Sequence, residues 1–416
     1  MKAIKVKIYP SKRKKELIDK HFGCCRFVYN FALEKTVECY QQNKKRLSAF
    51  NVMMMLPALR EENPWLKEVN AQSLQQSIRD LDSAFSHFFK KNNKFPKFKS
   101  KKNSTLSYRV QQKFEVNTEK KYLRLPKLGW IRFKDEFNIP EDIEFRHLTV
   151  SKDGDEYFVS ITYKTKEEPK LKSIPELNKT LGIDLGIKTL ATFSDGTKIE
   201  NPKHIKKYED KLKEAQQKLS KKDKSTSSFQ RQKKIVHKVY KKIRNTRMDF
   251  LHKLTNSIVE NQNFTSVSIE DLSTQEMMEN SPSPMSKAIS DTGWRMFRTM
   301  LEYKLEDKGK NLFVIGRFDA SSKTCTCGIK NNELTLNDRM WTCKHCGATH
   351  DRDILAANNI KVFGFRKFES GQDSAAKAAK ASVKSVCQKE TETRKLAQKL
   401  SKMRKNATKF KLKKLS

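Results

Sequence analysis

The chain has 416 residues, room for about two or three domains with a sizeable core, so a mini-protein held by staples is excluded. Lys and Arg number 87 against 48 Asp and Glu, a formal net charge of +39 that calls for a polyanionic partner. Hydrophobic residues make up 36%, yet 25 Phe and 10 Tyr far exceed what a disordered chain carries, so the chain folds and presents a basic surface. No apolar run approaches the roughly 20 residues of a membrane span, and the opening MKAIKVKIYP lacks the apolar stretch of a signal peptide. A cytoplasmic address is expected, with no membrane partner.

In chain order, Ile4, Val6 and Ile8 alternate with Lys5 and Lys7 at the period of a half-buried strand, which Pro10 and the helix-capping Ser11 end. From Lys12 to about Lys91 the pattern is helical, most clearly where Leu74, Ile78, Leu81, Phe85 and Phe88 share one face. Seven Lys and no acid then lie between Lys90 and Lys102, at Lys90, Lys91, Lys94, Lys97, Lys99, Lys101 and Lys102. Phe95, Pro96 and Phe98 interleave with them, a composition suited to phosphate contacts and to ring stacking on bases, though a solvated linker can look the same.

Strand-like runs follow at Tyr122 to Leu125, Trp130 to Phe133, Leu148 to Ser151 and Tyr157 to Tyr163, with Asp153-Gly154-Asp155 as a hairpin turn. They predict a small β-barrel or sheet that the N-terminal strand can join. At Leu181 the character changes. Strands at Leu181 and Thr189 to Phe193 precede a Lys- and Arg-rich stretch from Lys203 to Arg247, whose break at Lys224 to Ser228 predicts a helical hairpin with a basic outer face. Lys241, Lys242 and Arg244 on that hairpin are candidate nucleic-acid contacts. A strand from Thr265 to Ile269, a helix around Trp294 to Tyr303 and a strand from Leu312 to Ile315 complete an alternating α/β pattern. From Lys377 to Ser416, fourteen Lys or Arg face Glu390 and Glu392, the composition of a mobile basic tail.

Three acidic positions stand where a carboxylate is costly. Asp184 interrupts the apolar run Leu181 to Ile187, Glu270 ends the strand Val267-Ser-Ile-Glu, and Asp351 and Asp353 flank Arg352 before the small-residue helix Ile354 to Ile360. Each alone is more commonly a hydrogen-bonded structural acid. Together, with a polyanion as partner, they suit two Mg²⁺ ions about 4 Å apart on a phosphodiester. The chain has no GxxxxGK[ST] loop, GxSxG elbow or HExxH motif, which argues against ATP-driven and zinc-hydrolase readings.

Of the eight Cys, four are scattered at Cys24, Cys25, Cys39 and Cys387, and four cluster at Cys325, Cys327, Cys343 and Cys346. Two close pairs, each followed by Gly, predict a zinc ribbon holding one Zn²⁺, with His345 or His350 as a substitute ligand for the short Cys-Thr-Cys knuckle.

These motifs in this order resemble the TnpB family, transposon-encoded RNA-guided DNA endonucleases related to the compact type V CRISPR effectors. GIDLGIKTLATFSDG (182–196), SIEDLS (268–273), SSKTCTCG (321–328), WTCKHCGATHDRDILAANNI (341–360) and KIYPSKRKKELIDKHFGCCRFVYNFAL (7–33) carry the resemblance, which spans nearly the whole chain except the tail. Leu355 stands where family members commonly have Asn. The resemblance implies a multidomain α+β protein: an oligonucleotide-binding-like wedge barrel (1–10 and 104–178), a helical recognition lobe inserted in it (11–103), a RuvC-like nuclease of RNase H architecture (179–320 and 350–374), a zinc-binding insertion (321–349) and the basic tail (375–416). It also implies Asp184, Glu270 and Asp353 as the catalytic, Mg²⁺-holding acids, and a guide RNA that pairs with double-stranded DNA beside a short flanking motif in a prokaryotic, nucleoid-associated setting. A guided repressor that binds without cutting, and an RNase H-like transposase, are the alternatives.

Overall fold

The computed structural model of the chain describes residues 1–101, 105–134, 139, 143–165, 170–317, 319–335 and 338–371, so the predicted basic tail lies outside the described residues. Two compact units emerge, Met1–Glu168 and Pro169–Ser416.

The first unit opens with β1 (Lys2–Tyr9) and the 32-residue α1 (Lys12–Asn43). Ser11 occupies the predicted capping position, although its side chain makes no capping bond. Next come α2 (Ala49–Met54), α3 (Leu56–Glu62), a 3-10 turn at Pro64–Glu68 and α4 (Ala71–Phe89). Pro57 sits in the first turn of α3, where a missing amide costs nothing. The predicted stripe on α4 is buried at Leu74, Ile78, Leu81 and Phe85, each contributing about 1.5–3 kcal/mol by leaving water.

Beyond α4 lie β2 (Ser107–Val110), β3 (Glu115–Asn117), β4 (Tyr122–Leu125), β5 (Gly129–Lys134), β6 (Ile143–Asp153) and β7 (Glu156–Thr165). They form a seven-stranded sheet in the order β2-β6-β7-β1-β5-β4-β3. The N-terminal strand therefore lies mid-sheet, with Val6 opposite Val159 and Ile8 opposite Phe133. Gly154, at φ 63°, supplies the left-handed step in the β6–β7 turn. Among the described residues β2 and β3 do not pair with each other, so the predicted barrel is here a sheet with two edges.

The second unit carries a five-stranded sheet, β10-β9-β8-β11-β12, from β8 (Thr180–Leu185), β9 (Thr189–Phe193), β10 (Lys198–Glu200), β11 (Ser266–Glu270) and β12 (Asn311–Ile315). The adjacent strands β8, β11 and β12 run parallel, β12 forming one edge. Between β10 and β11 come α5 (His204–Lys207), α6 (Glu209–Ser220) and α7 (Ser227–Glu260). The Gln232 side chain donates to the Ala215 carbonyl at 3.0 Å across the α6–α7 hairpin. The helix α7 outruns the basic stretch because Leu251, Leu254 and Ile258 continue its buried face. After β11 follow α8 (Thr274–Glu279), α9 (Ser283–Thr292) and α10 (Trp294–Lys308). A small hairpin, β13 (Met340–Thr342) and β14 (Thr349–Asp351), leads into α11 (Arg352–Ser370). Residues 170–178, expected with the wedge, belong to this unit: Ser173 donates its amide to the Gly309 carbonyl at 2.8 Å and accepts from the Asn311 side chain at 2.9 Å.

Candidate metal centres and basic surfaces

Strand alternation decides which side chains meet on this second sheet. Leu181, Ile183, Val267 and Ile269 pack with residues of α7 and α10 in one buried cluster. Gly182 and Ser268 therefore face the other side, where α11 lies. A Cβ on Gly182 would meet the Ala357 carbonyl at 1.9 Å, and the Ser268 hydroxyl donates to the Ile360 carbonyl at 2.7 Å. Only small residues allow so close an approach. One pleat further on, Asp184 and Glu270 project from the same face at the carboxyl ends of adjacent parallel strands. Asp353, in the first turn of α11, joins them over that end.

Burial pushes the Asp184 carboxyl up to about 7, with the charges of Glu270 and Asp353 adding to it and Arg352 opposing. Burial also raises Glu270, against the hydroxyl of Ser321, which donates to it. Among the described residues no Lys or Arg forms an ion pair with Asp184 or Glu270, whereas Asp353 accepts from Arg339 at 2.9 Å. Two half-buried carboxylates raised by desolvation and without an ion-paired cation fit hard divalent ions with oxygen ligands. The acids share one end of the sheet but are not drawn into a closed cage. Among the described residues, only four thiols stand close enough to share one ion.

Sequence reasoning left Asp351 and Asp353 side by side, and the fold separates them. Asp351 caps α11, its carboxylate accepting the amides of Asp353 at 3.0 Å and Ile354 at 3.2 Å and pairing with Lys198 at 2.7 Å. It is spent on the helix terminus. Asp319 and Arg339 were missed. Asp319 adds a nearby charge to Glu270, accepts the Gly316 amide at 2.8 Å and pairs with Lys367 at 3.0 Å. Both sit in irregular segments, where spacing carries no signal.

Cys325, Cys327, Cys343 and Cys346 place their sulfurs within 4.8 Å of one another. Cys325 is 3.5 Å from Cys346, and Cys327 is 3.8 Å from Cys343. Zn–S bonds of about 2.3 Å at tetrahedral angles put sulfurs roughly 3.8 Å apart, so the set fits zinc. Gly328 at φ 89° and Gly347 at φ 72° turn each knuckle, and their amides bond the Cys325 and Cys343 carbonyls at 2.9 Å rather than sulfur. His350 Nε2 lies 3.1 Å from the Cys325 sulfur, so of the two predicted substitutes it is the one within reach. Leu355, unusual in its motif, is buried with Cys325, Trp341 and Cys343, joining the helix of Asp353 to the thiol cluster.

The lysine segment is pinned rather than a free linker. Phe95 packs edge-on against Phe85 and Phe88, with centroids 5.6 and 5.3 Å apart, while remaining 48% exposed. Asn30 clamps the Lys99 backbone through bonds of 2.8 and 2.9 Å. Lys90, Lys91, Lys94 and Lys97 remain exposed, as does Phe98, while the Lys99 ammonium lies 3.7 Å from the Tyr29 ring centroid. On α7, Lys242 and Arg244 are exposed and Lys241 is half-buried.

The OrfB_IS605 family, described as a probable transposase, matches residues 160–281, a Cas12f1-like TNB domain matches 294–360, and a helix-turn-helix domain matches 1–45. Over the last range the chain forms one strand and one long helix, without a second helix. A relative from Streptomyces pristinaespiralis named "Putative RNA-guided DNA endonuclease" is 36% identical over 406 residues, 94% of this chain and 97% of that one. InsQ of Escherichia coli (strain K12), with the same description, is 29% identical over 387 residues, 89% of this chain and 94% of that one. The solved Cas12f1–sgRNA–target DNA complex aligns with a TM-score of 0.34 at 16% identity, covering 86% of this chain and 98% of that one. Among the described residues no helix is long and apolar enough to cross a membrane. With 36% identity to the Streptomyces relative over nearly the whole of both chains, and with the matching domains following one another along this chain, it belongs to the TnpB (IS605 OrfB) family.

Proposed function

We propose that the chain is an RNA-guided, Mg²⁺-dependent DNA endonuclease of RuvC type, in which Asp184, Glu270 and Asp353 hold the divalent ions. One observation carries the reading: strand alternation turns Asp184 and Glu270 to the α11 face, where Asp353 stands, and among the described residues no Lys or Arg is ion-paired to the first two. Bound Mg²⁺ would supply charge neutralisation and activation of the attacking water. The chain's own residues do the rest. Asp184 and Glu270 stand on adjacent packed strands and present their carboxylates on the same face of the sheet. Ser321 orients Glu270, and Arg339 holds Asp353 until an ion or a substrate phosphate competes for the pair. The exposed lysines before β2 and the basic face of α7 hold nucleic-acid backbone without reading sequence, which falls to guide pairing and to a short motif in flanking DNA.

The test is to sequence the RNA that co-purifies with the protein and offer the complex a plasmid library bearing the matched target beside randomised flanks. Mg²⁺-dependent double-strand cleavage at a subset of flanks is the expected result. Guided binding without cleavage in Mg²⁺ or Mn²⁺ would make the protein a repressor. The probable-transposase match supports a second reading, and joining of the cut ends to target DNA in a strand-transfer assay would establish it.

A further inference from the structure

The first unit contains a cavity of about 100 Å³ walled by α1, α4, β2 and β6, which apart from Lys99 is lined by residues without an assigned role. Three cations line it, Arg26, Lys99 and Arg109, against one acid, Asp80. Tyr108 lines it too, is only 4% exposed, and has a hydroxyl without a hydrogen-bond partner. The Arg109 Nε is likewise buried and unpartnered, and the Arg109 guanidinium reaches Asp80 only at 3.9 Å, too far for a hydrogen bond. Asp80 instead accepts from the Gln76 side chain at 2.9 Å. Buried polar groups are nearly always satisfied, so an orphan hydroxyl and an orphan guanidinium nitrogen on one cavity mark donors awaiting an acceptor. The volume exceeds what a single water needs, and the excess of cations selects an anion with several oxygens.

We infer that this cavity binds a phosphate group, with the Tyr108 hydroxyl and the Arg109 guanidinium as its donors, and that the phosphate belongs to the RNA of the proposed function. The second clause rests on that reading; the first does not. Cys25, on the same wall, takes no part, because burial pushes its thiol up to about 12 and keeps it neutral.

The experiment is thermal unfolding of the full-length protein, stripped of nucleic acid, with inorganic phosphate against chloride at equal ionic strength. It is run on the unmodified chain, on Tyr108→Phe and on Arg109→Gln. Phosphate is expected to raise the midpoint of the unmodified chain, with apparent affinity about tenfold or more weaker in either variant, as fits a lost hydrogen bond to a charged group. Tyr108→Phe keeps the ring stacked on His21, with centroids 4.7 Å apart, and removes a hydroxyl that bonds nothing, so it should fold as well as the parent without phosphate. Absence of a phosphate effect, or an effect unchanged in both variants, overturns the site. In the RNA-bound protein the phosphate effect should disappear. If it persists there, the site takes free phosphate and the RNA assignment falls. If the protein never carries RNA, the proposed function fails while the phosphate titration still decides the cavity.

Discussion

The two units bury titratable groups in opposite ways. In the first, His21 is fully buried with both ring nitrogens engaged: Nδ1 lies 2.7 Å from the Leu17 carbonyl and Nε2 accepts the Asn70 amide at 3.1 Å. That pairing fits only the neutral ring, which burial also favours. In the second, Asp184 and Glu270 are half-buried and raised by desolvation, with Arg352 opposing the shift at Asp184 and, among the described residues, no Lys or Arg ion-paired to either. A fold that satisfies one buried group and leaves two others in conflict spends stability where chemistry needs it.

Breaking the conflict should have the largest effect. Asp184→Asn keeps the shape and removes the charge, so cleavage should fall by roughly a thousandfold or more while guided DNA binding stays within a few-fold. The sign of the stability change follows from the raised carboxyl. Without metal the charged form is penalised in the folded state as pH rises above the unfolded value, and in full above about 7. The variant should therefore melt higher than its parent at pH 8 in EDTA and lose the parent's stabilisation by Mg²⁺, read by calorimetry. A lower melting point would mean that the carboxylate is structurally satisfied.

Next comes the thiol cluster, where bound zinc would supply folding energy rather than chemistry. Cys343→Ser should drop zinc below about half an ion per chain and loosen residues 321–351, seen by metal analysis and limited proteolysis. Full zinc occupancy would show that His350 takes over as ligand.

Smaller still is the effect of spacing between α11 and the sheet. A Cβ at Gly364 would sit 2.0 Å from the Ser268 hydroxyl, so Gly364→Ala should cost about 1–3 kcal/mol and displace Asp353. Cleavage should fall more than zinc content.

The mildest test concerns the satisfied side of the comparison. His21 is held below its ordinary value, so the folded state resists protonation and the unfolded chain does not. Stability of the first unit is fully present above about pH 6.5 and should decline below it by at most about 1.4 kcal/mol per pH unit. His21→Gln should flatten that slope in urea titrations at pH 5 to 8. An unchanged slope would assign it to other groups.

Local pattern made several elements legible. The β1 alternation, the α4 stripe, the β6–β7 turn and the paired cysteines each span a few residues whose chemistry repeats at a fixed period or encloses a single turn. The strands β3 and β10 escaped because three residues carry too little periodicity. The open order of the first sheet escaped because edge pairing leaves no mark on sequence.

The site shows the same division. Sequence alone determined that carboxylates interrupt apolar strands at Asp184 and Glu270 and that four thiols can share an ion. Tertiary structure decided that Gly182 and Ser268 bring α11 against one face of the sheet and that Asp351 caps a helix while Asp353 is left to the cluster. It also decided that Arg339 and Asp319 arrive from loops. Those outcomes depend on which faces meet across long separations in the chain, and face-to-face contact is a property of packing that no local period records.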